Sequence, residues 1–321
     1  MIAGLDRIHA GAVRIADEMA DRAAAIGATV ARLPNGARLI DAGVRAPGSP
    51  EAGRLFAEAC MGGLGVVRLS ERRLGPGVVS EARVAASAPL AGCMAAQYAG
   101  WKIREGGFSG MGSGPARAMA AVEPLFERYP MQVRGDATVL LLETTSLPGP
   151  EVAARVAERC GLGPEALTLI AARTASPTGS TQIAARSVET ALHKLMELSF
   201  DLTTIVAGAG TCPIAPPIDD PLRAIGRTND AVLYGAEVTL WARGGGAAIR
   251  AVLDRVPSSA SKDYGRPFYD LFREHGDFYK IDPLLFSPAK VTFISAPDGL
   301  TFSAGAIDEA MLLRSFGMET G

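Results

Sequence analysis

What this chain lacks narrows it first. Its 321 residues hold four cysteines, Cys60, Cys93, Cys160 and Cys212, and three histidines, His9, His193 and His275, all far apart. No zinc, haem or iron–sulfur spacing exists among them. Isolated thiols in a chain of this size read as reduced, buried cysteines of a cytoplasmic protein. The net charge is −2 and no block of like charge occurs, which argues against a nucleic-acid or anionic-membrane surface. The longest uncharged run, Leu202–Ile218, is broken by Gly, Thr and Pro and does not suit a bilayer. Asp6, Asp17, Glu18 and Asp21 remove any targeting character from the first residues.

What is present is apolar material. Apolar residues make up 48% of the chain, enough for a large core, and the length points to two domains. Leu5, Ile8, Ala12, Ile15 and Met19 recur at helical steps. Pro34-Asn35-Gly36 between two alternating segments predicts a hairpin. Strands are expected at 64–69, 138–142 and 167–171, and helices near 51–60, 90–99, 116–128, 150–160 and 307–316. Residues 231–241 alternate as a strand would, with Gly235 as a bulge. Helices and strands alternate but hairpins are mixed in. The fold class expected is therefore α+β (mixed α/β), as two layered α/β domains divided near residue 145, 1–145 and 146–321.

Four stretches carry chemical interest. Ser176–Leu198 reads as a helix of about five turns, opened by Ser176 and Pro177. Ala184, Val188, Ala191 and Leu195 share one side of it; Gln182, Arg186, Glu189 and His193 share the other. From spacing alone Arg186 and Glu189 are either a solvated ion pair or a base with its orienting cation. His193 reads as a surface or interface histidine. Phe108–Arg117 contains Gly110, Gly112 and Gly114, a turn whose N–H groups suit a polar ligand edge, or a plain glycine turn before a helix. It lacks the preceding strand and following acid of a dinucleotide fingerprint. Cys212–Asp230 holds four prolines and reads as a stiff loop; Asp219 and Asp220 alone are a poor metal site. Tyr264–Tyr279 concentrates six aromatics. Phe268, Leu271 and Phe272 suit core packing, while Tyr264, Tyr269, Phe278 and Tyr279 are available to stack on a flat ligand.

Taken in order, the segments NGARLIDAGVRAPGSPEAG, EACMGGLG, AAQYAGWKI, MGSGPARA, GSTQIAARSVET, PIAPPIDD, IGRTNDAVLYG, PSSASKDYGRPF and DFYKIDP resemble one family, methenyltetrahydromethanopterin cyclohydrolase. The resemblance covers most of the chain. It implies a cytoplasmic homotrimer of two-domain subunits, with a reduced pterin bound in a cleft between domains and no metal or redox cofactor. It implies a place in one-carbon metabolism, and the Arg/Ala-rich composition suggests methylotrophy. The family's catalytic arginine and glutamate map onto Arg186 and Glu189. Gly112, Ser113, Gly114, Thr178, Gly179, Ser180 and Gln182 are the residues expected to hold the pterin. The alternatives are a nicotinamide-linked oxidoreductase using the glycine turn, and a non-catalytic pterin-binding protein.

Overall fold

A computed structural model of the chain describes residues 2–276 and 280–319. The fold is α+β. It divides into two compact units, Met1–Val66 with Leu90–Gln182, and Val67–Pro89 with Ile183–Gly321. The chain therefore crosses between them three times.

The first stretch lays down α1 (Ile8–Asp21), the hairpin of β1 (Thr29–Arg32) and β2 (Arg38–Gly43), and α2 (Pro50–Cys60). The apolar stripe of the first helical region is buried as its spacing predicts, and Gly36 takes the left-handed turn position at φ 89°. The second unit then receives β3 (Gly65–Leu74) and β4 (Gly77–Ala86), a pair of which the sequence reading finds only one short piece. Back in the first unit come a buried π-helix (Leu90–Gln97), β5 (Trp101–Glu105), β6 (Phe108–Ser113), α3 (Ala116–Ala120), α4 (Leu125–Arg128), β7 (Thr138–Glu143), α5 (Pro150–Cys160), β8 (Leu167–Ala172) and α6 (Pro177–Ala184). The last stretch adds α7 (Ser187–Glu197), β9 (Ile205–Pro213), α8 (Pro221–Gly235), β10 (Glu237–Ala242), α9 (Gly246–Val252), α10 (Phe268–His275), β11 (Lys290–Ser295), β12 (Thr301–Gly305) and α11 (Glu309–Phe316). Among the described residues no helix is long and apolar enough to cross a membrane.

Each unit is built on a six-stranded sheet. The first has the order β1-β2-β8-β7-β6-β5 and the second β12-β11-β10-β9-β4-β3. In the first sheet β2, β8 and β7 run parallel, and β1, β6 and β5 pair antiparallel at its flanks. One face is packed by α1 and α2 through Ile15, Met19, Leu55 and Phe56. The other is packed by α3 and α5 through Met119, Val152 and Val156. All four cysteines are buried free thiols, and burial pushes Cys160 up to about 12.

Three segments depart from the sequence reading. Residues 108–113 form a strand, not a turn; the turn sits earlier, at Gly106-Gly107, both with positive φ. Residues 221–235 form α8. The missed signal is Asp220-Pro221: the Asp220 carboxylate accepts from Leu222 N and Arg223 N and Pro221 takes the first helical position. That cap also explains Asp220 without a metal, and leaves only the short link before it as loop. The helix expected over 176–198 breaks at Ala185-Arg186, where Arg186 N turns tightly onto Ile183 O. In the aromatic segment Phe268 and Leu271 are core residues, Tyr264 packs on Tyr234 at 5.0 Å, and Phe278 and Tyr279 lie outside the described residues.

One buried acid makes stability pH-dependent. Asp230 in α8 accepts from Phe268 N at 2.9 Å and Ser315 Oγ at 2.6 Å. Burial raises its pKa to about 7. The unfolded chain loses this proton near the ordinary aspartate value of about 4, so stability falls as pH rises from about 4 to 7 and is level above. Asp230→Asn keeps both hydrogen bonds. Urea melts at pH 5 and pH 8 should show the fall flattened, with the variant more stable at pH 8 by about 2–4 kcal/mol.

Candidate active site

In the first unit the carboxyl ends of β2, β8 and β7 form one edge. The chain leaves β2 for α2 on one face and leaves β7 for α5 on the other. In open α/β sheets such a switch point at the strand ends is where ligands commonly bind. Asp41, at the end of β2, orders the turn that leaves this edge: the buried carboxylate accepts from the N–H groups of Gly43, Val44, Arg45 and Ala46 at 2.7–3.1 Å. Glu143 ends β7 and accepts from the Thr174 hydroxyl in the loop after β8. Arg173, exposed beside it, donates its N–H to Gly43 O. Glu143, Thr174 and Asp41 escape the sequence reading, although a carboxylate ending the apolar run TVLLLE is a readable signal.

The turn into α6 is locked to this edge. Thr178 Oγ1 donates to Ser49 O and accepts from Ser49 N, at 3.2 and 3.1 Å. Ser176 Oγ accepts from Gly179 N at 3.0 Å. A Cβ on Gly179 would lie 2.1 Å from Arg173 O, so only glycine allows the approach. Thr178 and Gly179 therefore build the frame. Ser180 and Gln182, also in α6, are buried.

Gly112, Ser113 and Gly114 start next to the same edge and run inward from it along the sheet. Met111 pairs with Glu143, Gly112 with Leu142 and Ser113 with Leu141, so β6 carries these residues away from the strand-end edge. Gly114 donates its N–H to Ala96 O at 2.8 Å, and Ser113 Oγ lies 3.3 Å from Cys60 Sγ inside the core. A strand does precede Gly114, contrary to the sequence reading. It is antiparallel to β7 and leads into a five-residue helix, which is no dinucleotide-binding βαβ unit.

In the second unit Arg186 and Glu189 begin α7. Arg186 is the half-buried residue before its first turn, and its carbonyl accepts from Thr190 N. Glu189 lies in that first turn and is only 7% exposed. A carboxylate there is favoured by the N–H groups and positive end of the helix. The burial pattern differs from a solvated polar stripe, because Gln182 and Glu189 are both buried and the break at Arg186 takes Gln182 onto a different helix. His193 is half-buried, 3.8 Å from Glu197. Among the described residues, the buried hydroxyls of Thr181 in α6 and Ser187 in α7 have no hydrogen-bond partner. Buried polar atoms of this kind mark places for water or ligand.

The family model described as Cyclohydrolase (MCH) matches residues 8–316. The chain belongs to this family. A methenyltetrahydromethanopterin cyclohydrolase of Xanthobacter autotrophicus is 47% identical over 289 residues, 90% of this chain and 86% of the relative. One from Methylobacillus flagellatus is 44% identical, covering 93% and 92%. One from Methanosphaerula palustris is 40% identical, covering 96% and 98%.

In this member of the MCH family, the strand beneath α7 sets where Glu189 stands. Gly208 and Gly210 lie on one face of β9 by their two-residue spacing. A Cβ on Gly208 would meet Val188 at 2.6 Å, and one on Gly210 would meet Ser187 Oγ at 2.4 Å. The missing side chains let the first turn of α7 rest directly on the sheet. Gly210→Ala should displace that turn by a few tenths of an ångström or more and destabilise the fold by about 1–3 kcal/mol. The expected kinetic result is a kcat at least about tenfold lower, since small misplacements of reacting groups are costly; steady-state assays with a parallel thermal melt separate the two effects.

Proposed function

We propose that this chain hydrolyses N5,N10-methenyl-tetrahydromethanopterin, reversibly, to the N5-formyl compound. The observation that carries this reading is the family match over residues 8–316, with named relatives at 40–47% identity. The oxidoreductase and non-catalytic readings have no comparable support.

The methenyl carbon bridges two nitrogens in a cationic amidinium and is electrophilic. Water adds to it and gives up a proton, making a neutral carbinolamine. The bond from that carbon to N10 then breaks as the hydroxyl becomes a carbonyl, the hydroxyl proton is passed to N10, and the carbon remains on N5 as formyl. The balance is one water consumed and one proton released per turnover, with no electrons moved, so the chemistry calls for no redox cofactor and no metal is assigned a role. Glu189 is assigned as the base that accepts the water's proton. Such a base contributes about 10²–10⁴-fold. Its burial near a cationic substrate strengthens the attraction between carboxylate and amidinium. Arg186 is assigned to hold the carboxylate in one rotamer, because its charge opposes that of the substrate. Gln182 and Ser180 are assigned to the amide-like edge of the pterin, and the unpartnered Ser187 hydroxyl to the attacking water. By resemblance the enzyme works as a cytoplasmic homotrimer.

Turnover in ¹⁸O-labelled water tests the reading. One labelled atom should appear in the formyl oxygen of an N5-formyl product. An N10-formyl product, or a protein-dependent reaction that leaves the formyl group unlabelled, would overturn it.

A further inference from the structure

The second unit contains a basic cavity of about 300 Å³, lined by α8, α10 and α11. Arg223 and Arg227 from α8 and Arg314 from α11 face it, together with Tyr269 of α10. Clustering three guanidinium groups around one space is unfavourable unless counter-charge is supplied. Little is supplied from within. Among the described residues neither Arg227 nor Arg314 has a carboxylate within ion-pair distance, and Arg223 reaches only Asp220, at 3.6 Å on the surface. Asp230 also lines the cavity, hydrogen-bonded to Phe268 N and Ser315 Oγ, and burial raises its pKa to about 7, so near neutral pH it supplies only part of a negative charge. Asp270 is the other carboxylate of the lining.

Arg227 is held in place by neutral groups. Its Nε donates to Ser315 O at 3.1 Å and its Nη1 to Pro216 O at 3.4 Å. Those carbonyls fix the plane of the guanidinium without cancelling its charge. Gly317 keeps the remaining side open: a Cβ there would stand 3.3 Å from Nη2. The ring of Tyr269 has Arg223 and Arg273 each 5.6 Å from its centroid, which covers it with cations and leaves little for stacking a flat ligand. A pre-oriented planar donor with neighbouring positive charge suits a tetrahedral oxyanion, which guanidinium groups bind through paired N–H donors.

We propose that this cavity is a phosphate-binding site, in which Arg227 and Arg314 contact a phosphate group and Arg223 lies at the rim. The phosphate is inorganic or the end of a small phosphate monoester. The site is independent of the cyclohydrolase reading, because its test measures binding and not turnover.

Isothermal titration of the full chain with inorganic phosphate and with ribose 5-phosphate, each against sodium chloride at matched ionic strength, decides the matter. Saturable binding of one equivalent per chain is expected, weakened about tenfold or more in Arg314→Ala and in Arg227→Met. Arg314 is exposed, so its alanine variant keeps the test sound even where the Arg227 variant folds poorly. Tighter binding of the ester assigns the site to a phosphorylated metabolite, and tighter binding of the free ion to inorganic phosphate; either result supports the site. No saturable binding beyond the chloride control overturns it. So does binding that persists unchanged in Arg314→Ala.

Discussion

Glu189→Gln is expected to lower kcat by about 10²–10⁴-fold while the methenyl pterin still binds. Glutamine keeps the size and the acceptor oxygen of the side chain but takes up no proton. Glu189 is buried in the first turn of α7, so the substitution removes charge without opening a cavity. KM should rise modestly, because the neutral amide loses its attraction for the cationic amidinium, while the larger fall in kcat reports the lost acceptance of the water's proton in the transition state. Arg186→Met should give a smaller fall, since an orienting partner is removed and the base itself remains. Steady-state kinetics of both variants, with equilibrium binding measured by quenching of protein fluorescence, distinguishes them. A glutamine variant with near-normal turnover would remove Glu189 from the chemistry.

The largest expected loss of stability lies at Arg117. This side chain is fully buried, and its Nε and Nη2 pair with both oxygens of Glu123 at 2.7 and 2.6 Å. Its Nη1 donates to Met94 O, Ala95 O and Ala96 O at 3.1–3.2 Å. Those are carbonyls of the last turn of the π-helix, which need donors from outside the helix. The positive charge also meets the negative end of the helix. Tyr98 and Phe126 lie 5.0 and 5.5 Å from the guanidinium carbon. Arg117→Met leaves Glu123 buried without its partner and should cost about 3–5 kcal/mol. The double change Arg117→Met, Glu123→Leu removes the stranded charge, so it should cost less than the single one. Chemical denaturation of the three proteins checks the order. A single variant within about 1 kcal/mol of wild type would contradict the role assigned to the pair.

Periodicity made much of the first unit legible. The stripe from Leu5 to Met19, the Asn35-Gly36 turn and the apolar run ending at Leu142 each state their element directly. The failures have local causes. Of the strand expected over 231–241, residues 237–241 are strand in β10, but 231–235 end α8: there the alternation of Val232 and Tyr234 outweighs Asp220-Pro221 as a signal, yet the cap decides, because α8 is buried along much of its length and needs no polar stripe there. At Gly110–Gly114 glycine suggests a turn. In the folded chain these residues are strand, and the small size at Gly110 and Gly112 meets the neighbouring Thr144, Leu140 and Trp101. Nothing local in the sequence marks Arg117, since three carbonyls and Glu123 converge on it only in the folded chain. For the candidate site, spacing alone leaves Arg186 and Glu189 as either a solvated ion pair or a base with its orienting cation, and only the resemblance singles them out. What the fold adds is the burial of Glu189 and the glycines of β9 that seat its helix. Those glycines lie about twenty residues away, beyond the reach of any local pattern.

The most direct test of the central claim is spectrophotometric. Purified protein is mixed with N5,N10-methenyl-tetrahydromethanopterin at neutral pH, and the absorbance of the methenyl chromophore is followed. The account predicts a loss of absorbance whose rate is proportional to wild-type enzyme and falls by about two orders of magnitude or more with Glu189→Gln. Absorbance loss no faster than in buffer alone, or equally fast with both proteins, would contradict it.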